Sequence, residues 1–151
     1  MGFRRKQKLN IVLFTTKTIH HDYFIKVLER NKNNKLLIIF EQKKTKPIVK
    51  IGNLDMKKQI SFEKKNFFNN KKYKFLSKNY KFGDINSNKC MKLIKKFNPE
   101  VGVVFGTGKI SPKLIKIFKG KLINVHRGIM TKYRGLDSEF WASYHRDFKS
   151  I

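Results

Sequence analysis

The sequence predicts an α/β domain of three layers, with helices on both faces of a mostly parallel sheet. Three observations predict it. Short apolar runs recur at residues 9–14, 36–40, 101–105 and 122–125, with the continuity of strands buried on both faces. Stretches with helical spacing separate them, and strand, helix, strand in that order calls for a parallel sheet with right-handed crossovers. The chain has 151 residues, 40% of them hydrophobic, which suits one domain with one core, running over residues 1–151.

Residues 1–8 read as a basic lead-in to the first strand, and Thr15-Thr16-Lys17-Thr18 as the loop after it. Tyr23, Phe24, Val27 and Leu28 then fall at helical spacing, so a helix is expected over residues 20–30, begun by His20 and His21. After the second strand the pattern fails. Residues 41–81 read as a variable basic insert holding a helix over residues 57–68. Its aromatics (Phe62, Phe67, Phe68, Tyr73, Phe75, Tyr80, Phe82) are spaced irregularly, which favours a segment lying on the domain with its rings inward. Regular interleaving with lysine would instead suggest a stacking surface for single-stranded nucleic acid.

Order returns at Asp84. Asn86 or Ser87 can cap a helix whose apolar side is Met91, Leu93, Ile94 and Phe97, with Cys90 as a small packing residue and Asn98-Pro99 as the stop. The strand at 101–105 runs into Gly106-Thr107-Gly108. A flexible loop at the carboxyl end of a parallel strand is where open α/β sheets bind ligands. It is not a dinucleotide fingerprint, since the third glycine is absent at the required spacing. Ser111-Pro112 starts another helix, with Leu114, Ile115 and Phe118 inward and Gly120 closing it. The fourth strand is residues 122–125, and a last helix is expected over residues 138–148.

The formal charge of +26 invites a polyanion partner. Yet 30 of the 36 basic residues are Lys and 6 are Arg, with 13 Asn besides. Lys, Asn, Ile and Phe share A/T-rich codons, whereas base and phosphate recognition leans on the planar fork of Arg. A biased genome with a solvated basic surface explains the composition better. No apolar run reaches the ~20 residues of a membrane span, and no secretory leader is read at the amino terminus. One cysteine requires no oxidising compartment, so the cytoplasm is the default. His20, His21, His126 and His145 make no metal pattern with Cys90 or the acids, and no metal is expected.

The stretch 121–141 carries the chemistry. Asn124 and His126 stand two apart at the end of a strand, hence on one face and roughly 6.6 Å apart along the chain. Val125 points the other way, towards a core. An amide donor beside an imidazole can hold a carbonyl oxygen and manage a proton, because imidazole changes charge near neutrality. Taken alone, such a pair is more often a satisfier of backbone groups.

Asn124-x-His126, then Tyr133-Arg134-Gly135-Leu136-Asp137-Ser138 and Phe140-Trp141-Ala142, resembles the folate-dependent formyltransferases, which act on glycinamide ribonucleotide, methionyl-tRNA or amino sugars. The likeness is strong from Asp84 onward, weaker over the first strand and helix, and nearly absent between. It implies a Rossmann-like fold and 10-formyltetrahydrofolate as formyl donor. It also implies Asn124 and His126 as catalytic residues, the loop Gly106, Thr107 and Gly108 against the cofactor, and Tyr133, Arg134 and Gly135 against the substrate, with Arg134 reading equally as a structural clamp on its own loop. The motif is most similar to the sugar-type members. The expected acceptor is therefore a small-molecule amine such as a nucleotide-linked amino sugar; methionyl-tRNA suits the charge but not Tyr-Arg-Gly-Leu-Asp-Ser. Arg127 stands where many members carry Pro. In the family an Asp from a later loop positions the His and takes part in proton transfer; it lies several dozen residues beyond the Asn, and Asp137 and Asp147 come too early to match it. The expectation is a formyltransferase domain incomplete at its carboxyl end, lacking its last strand or strands. A basic nucleic-acid-binding domain and an inactive remnant of the enzyme are the alternatives.

Overall fold

The computed structural model describes residues 8–42, 53–126, 128–135 and 138–151. The basic lead-in up to residue 7, residues 43–52 of the stretch 41–81, and Arg127, Leu136 and Asp137 of the motif region lie outside them.

Among the described residues, five parallel strands form one sheet in the order β3-β2-β1-β4-β5: β1 Asn10–Thr15, β2 Lys35–Glu41, β3 Lys78–Phe82, β4 Val101–Phe105 and β5 Leu122–Val125. The helices between them are α1 Ile19–Glu29, α2 Asn53–Phe68, α3 Asn88–Phe97 and α4 Pro112–Ile117. After β5 come α5 Ser138–Tyr144 and a 3₁₀ turn, Phe148–Ser150. No described helix is long and apolar enough to cross a membrane.

The period of two along β1 divides the core. Val12 and Phe14 join Leu37, Ile39, Ile94, Val104, Leu114 and Phe118 on one face. Ile11 and Leu13 join Ile25, Ile38, Phe40 and Val103 on the other. Phe14 and Phe118 meet edge to face at 5.8 Å. Both faces of β1, β2 and β4 are covered, so these strands read as unbroken apolar runs, whereas the edge strand β5 leaves Ile123 and Asn124 exposed.

The helix ends follow side-chain chemistry. Thr18, Ser87 and Ser111 cap α1, α3 and α4, each accepting a backbone N–H of the first turn. Asn98 ends α3 in the left-handed region at φ 52°. Cys90 is buried, its thiol pushed up to about 12 by desolvation and then by Asp84, which fits an inert packing residue.

Four details correct the expectations. Val27 and Ile115, read as inward, are exposed, and Ile25 takes the central place on α1. The last helix stops at Tyr144, and Arg146 at φ 55° separates it from the final turn. The stretch 41–81 supplies α2 and an unforeseen edge strand, β3. Its sequence, Lys-Asn-Tyr-Lys-Phe, is polar because an edge strand need not be buried. The rings of this stretch mostly face inward, with Phe67 stacked on Tyr23 and Phe75 tilted on Phe40, while Phe62 and Tyr80 are exposed.

One buried carboxylate pins the approach to β3. Glu29, at the end of α1, accepts from Tyr73 Oη (2.7 Å), Ser77 N (2.8 Å) and Leu76 N (3.1 Å). Desolvation by itself raises the Glu29 pKa, but these hydrogen bonds outweigh it and hold the carboxyl below its ordinary 4.5. A depressed folded-state value contributes stability that is complete above 4.5 and vanishes as pH falls through the lower folded value. Tyr73 runs the opposite way. Burial and then Glu29 push it from 10.0 to about 12, so its share is complete below 10.0 and lost as pH rises through about 12. Glu29→Gln is expected to cost about 1–3 kcal/mol at neutral pH. In urea melts the deficit should hold steady around neutrality and shrink once the pH falls below 4.5; a deficit that ignores pH would show that the charge is irrelevant.

Candidate active site

A strand order of 3-2-1-4-5 reverses direction between β1 and β4, and crevices in open parallel sheets form at the carboxyl ends of such strands. The register then decides which loops share that edge. Thr15 pairs with Phe40 on one side and Phe105 on the other, and Phe105 pairs with Val125. The chain after β4 (Gly106) and after β5 (His126) therefore leaves adjacent strands at one level, roughly 5 Å apart in backbone. The register sets the start of the loop 106–108 beside the strand end that carries Asn124 and His126.

The loop itself is tightly held. Gly106 has φ +74°, and a Cβ there would run into the His21 ring, 2.6 Å from Nε2. His21 is buried, its Nδ1 2.9 Å from Thr16 Oγ1, and Thr16 Oγ1 donates to the Gly106 carbonyl at 3.3 Å. Thr107 Oγ1 turns to the Gly108 carbonyl (3.3 Å), and Gly108 N donates to Glu41 Oε2 at 2.6 Å. His20 sits beside His21, within 3.3 Å of Glu63. Thr16, His21 and Glu41 were not singled out as site residues from sequence. The available signal was an acid closing an apolar strand at the ligand-binding edge.

Asn124 is exposed on β5, side by side with Val104, while Val125 packs on the opposite core as expected. Its Nδ2 donates to Met130 Sδ at 3.3 Å, a weak acceptor. His126 is tied on both ring nitrogens. Nε2 lies 3.1 Å from the Gly135 carbonyl; Nδ1 lies 3.0 Å from the Gly128 carbonyl and 3.3 Å from Gly128 N. A neutral ring protonated on Nε2 donates to Gly135 and accepts from Gly128 N–H, whereas an imidazolium donates to both carbonyls. Among the described residues no hydrogen bond joins Asn124 to His126; both address the segment 128–135.

That segment behaves unevenly. Gly135, at φ +90°, reaches His126 through its carbonyl. Arg134 is exposed, and its Nε donates to the Met130 carbonyl at 3.1 Å, so it clamps the turn. Tyr133 turns away. It stacks on His145 and donates to Asp147 Oδ2 at 3.4 Å, and partial desolvation and then the Asp147 charge raise its pKa. Asp147 also accepts from Ser150 (2.7 Å) and Lys132 (3.1 Å), which hold its carboxyl below the usual range. It is a knot between the turn and the final segment. Among the described residues no cluster of three or more His, Cys, Asp or Glu could hold a metal.

The model of the formyl transferase family matches residues 9–147. A methionyl-tRNA formyltransferase of Sulfurihydrogenibium sp. is 45% identical over 51 residues, 33% of this chain and 16% of that protein. One from Thermodesulfovibrio yellowstonii is 42% identical over 53 residues, 34% of this chain and 17% of that protein. The matched stretches thus span about a sixth of those relatives' length. The crystal structure of glycinamide ribonucleotide transformylase 1 from Geobacillus kaustophilus superposes with a TM-score of 0.57 at 12% identity, covering 91% of this chain and 68% of that one, and shows the same fold. With the family's pattern running through nearly the whole of the described sheet, the chain belongs to the formyl transferase family.

Proposed function

We propose that this protein transfers a formyl group from 10-formyltetrahydrofolate to an amine in the cytoplasm. The observation that carries the reading is the pairing of Phe105 with Val125, which sets the 106–108 loop beside Asn124 and His126 at one sheet edge. The loop suits the donor. The His21 ring fills the space that a Gly106 side chain would take and so fixes the loop backbone, and the Gly108 N–H is already taken by a carboxylate. Gly106, Thr107 and Gly108 would hold the donor, which supplies the formyl carbon.

The chain's own residues do the rest. As an amine adds to the formyl carbonyl, negative charge grows on its oxygen; the formyl carbon then parts from the folate nitrogen, which takes up a proton as the amine gives one up. Asn124 Nδ2 is the donor within reach of such an oxygen, and giving up a thioether costs it little. His126 has carbonyl partners for both of its N–H groups when charged and a backbone donor for Nδ1 when neutral, so its turn accommodates either state. Arg134 is exposed and can pair with an anionic group of the acceptor.

The motif Tyr133-Arg134-Gly135-Leu136-Asp137-Ser138, followed by Phe140-Trp141-Ala142, supports a nucleotide-linked amino sugar as acceptor. A second reading, an aminoacyl-tRNA amine, is favoured by the local relatives, which are methionyl-tRNA formyltransferases. Calorimetric titration with 10-formyl-5,8-dideazafolate, followed by turnover with an amino-sugar nucleotide and with methionyl-tRNA, tests both. Binding of the analogue and turnover of one acceptor are expected. Analogue binding without turnover of either would mark a remnant, and no analogue binding with tight, salt-sensitive RNA binding would replace the enzyme by a nucleic-acid module.

A further inference from the structure

We propose that Glu41 is a positioning residue for the donor-binding loop. It closes β2, one residue past the pairing of Phe40 with Thr15, and its carboxylate passes over the end of β1 to the loop after β4. The side chain is 8% exposed, and Oε2 accepts from Gly108 N at 2.6 Å, a charge-assisted bond across two strand positions. A Cβ on residue 108 would lie 3.4 Å from both carboxylate oxygens, an ordinary contact, so the latch rests on the N–H bond and not on the absence of a side chain. At its other end the loop rests on Thr16 and His21. Three residues are therefore held from β1 and β2 together. The arrangement also selects the ligand. With its N–H engaged by a carboxylate, Gly108 repels a phosphate or carboxylate and favours a neutral ring over the loop.

The inference rests on the folate reading, and three measurements on the full chain separate the two. Hydrogen exchange should find the Gly108 amide protected in the wild type; an unprotected amide overturns the latch whatever any variant does. Glu41→Ala should weaken binding of 10-formyl-5,8-dideazafolate about tenfold to a hundredfold. Glu41→Gln, which keeps an acceptor oxygen, should stay within about threefold of wild type. A mere prop would lower the melting temperature of Glu41→Ala and leave the affinity of the folded protein unchanged, which overturns the proposal while leaving the folate reading intact. Failure of the wild type to bind the analogue overturns the folate reading and the proposal together.

Discussion

Asn124→Ala is expected to lower kcat about a hundredfold to a thousandfold, the measured consequence of removing one oxyanion donor elsewhere. The fold should barely notice. Asn124 is exposed on β5, its amide meets a thioether and no backbone group, and surface changes of that kind stay within about 0.5 kcal/mol. The comparison is steady-state kinetics with the acceptor that the wild type turns over, alongside thermal melts of both proteins. A fall in kcat at unchanged melting temperature assigns the amide to the reaction. A kcat within about threefold of wild type would strip Asn124 of its role. His126 offers no such clean separation, because truncating it also releases the contacts to Gly128 and Gly135 that close the turn.

The largest effect on stability is expected at Gly106. Alanine there would adopt φ +74°, which costs about 1–2 kcal/mol for an L residue, and would drive its methyl group into the buried ring of His21. Displacing that ring breaks the contact with Thr16 and adds about 1–3 kcal/mol of overpacking. The sum is about 2–5 kcal/mol, or roughly 4–20 °C in Tm for a domain of this size. Gly120→Ala is the control. It carries φ +83° with nothing within 4 Å, so it should show the backbone term alone. Equal melting temperatures for the two variants would mean that His21 yields freely and does not brace the loop.

The central strands and α1, α3 and α4 were legible because burial on both faces leaves an apolar run and a cap leaves a threonine or serine. β3 was not, since Lys78, Tyr80 and Lys81 lie on a solvated edge where pairing is backbone work and side chains are free to vary. The place of Asn124 and His126 at the carboxyl end of β5 was readable from the apolar run that leads to them. Their present partners were not, because Met130, Gly128 and Gly135 meet them through the closure of a turn, which no periodicity encodes. Glu41 and His21 were hidden for a related reason. They act on a loop 67 and 85 residues away, respectively, through pairing that only the strand order reveals.

The seam between β1 and β4 has a thermodynamic consequence. Thr16, His21 and Glu41 touch Gly106 and Gly108 directly, and these segments meet only when Ile11 pairs with Val101. An unfolded chain presents no fragment of this edge that could retain a ligand. Any molecule that docks there discriminates fully between folded and unfolded chains, and at a hundred times its Kd it adds about 2.7 kcal/mol to the unfolding free energy.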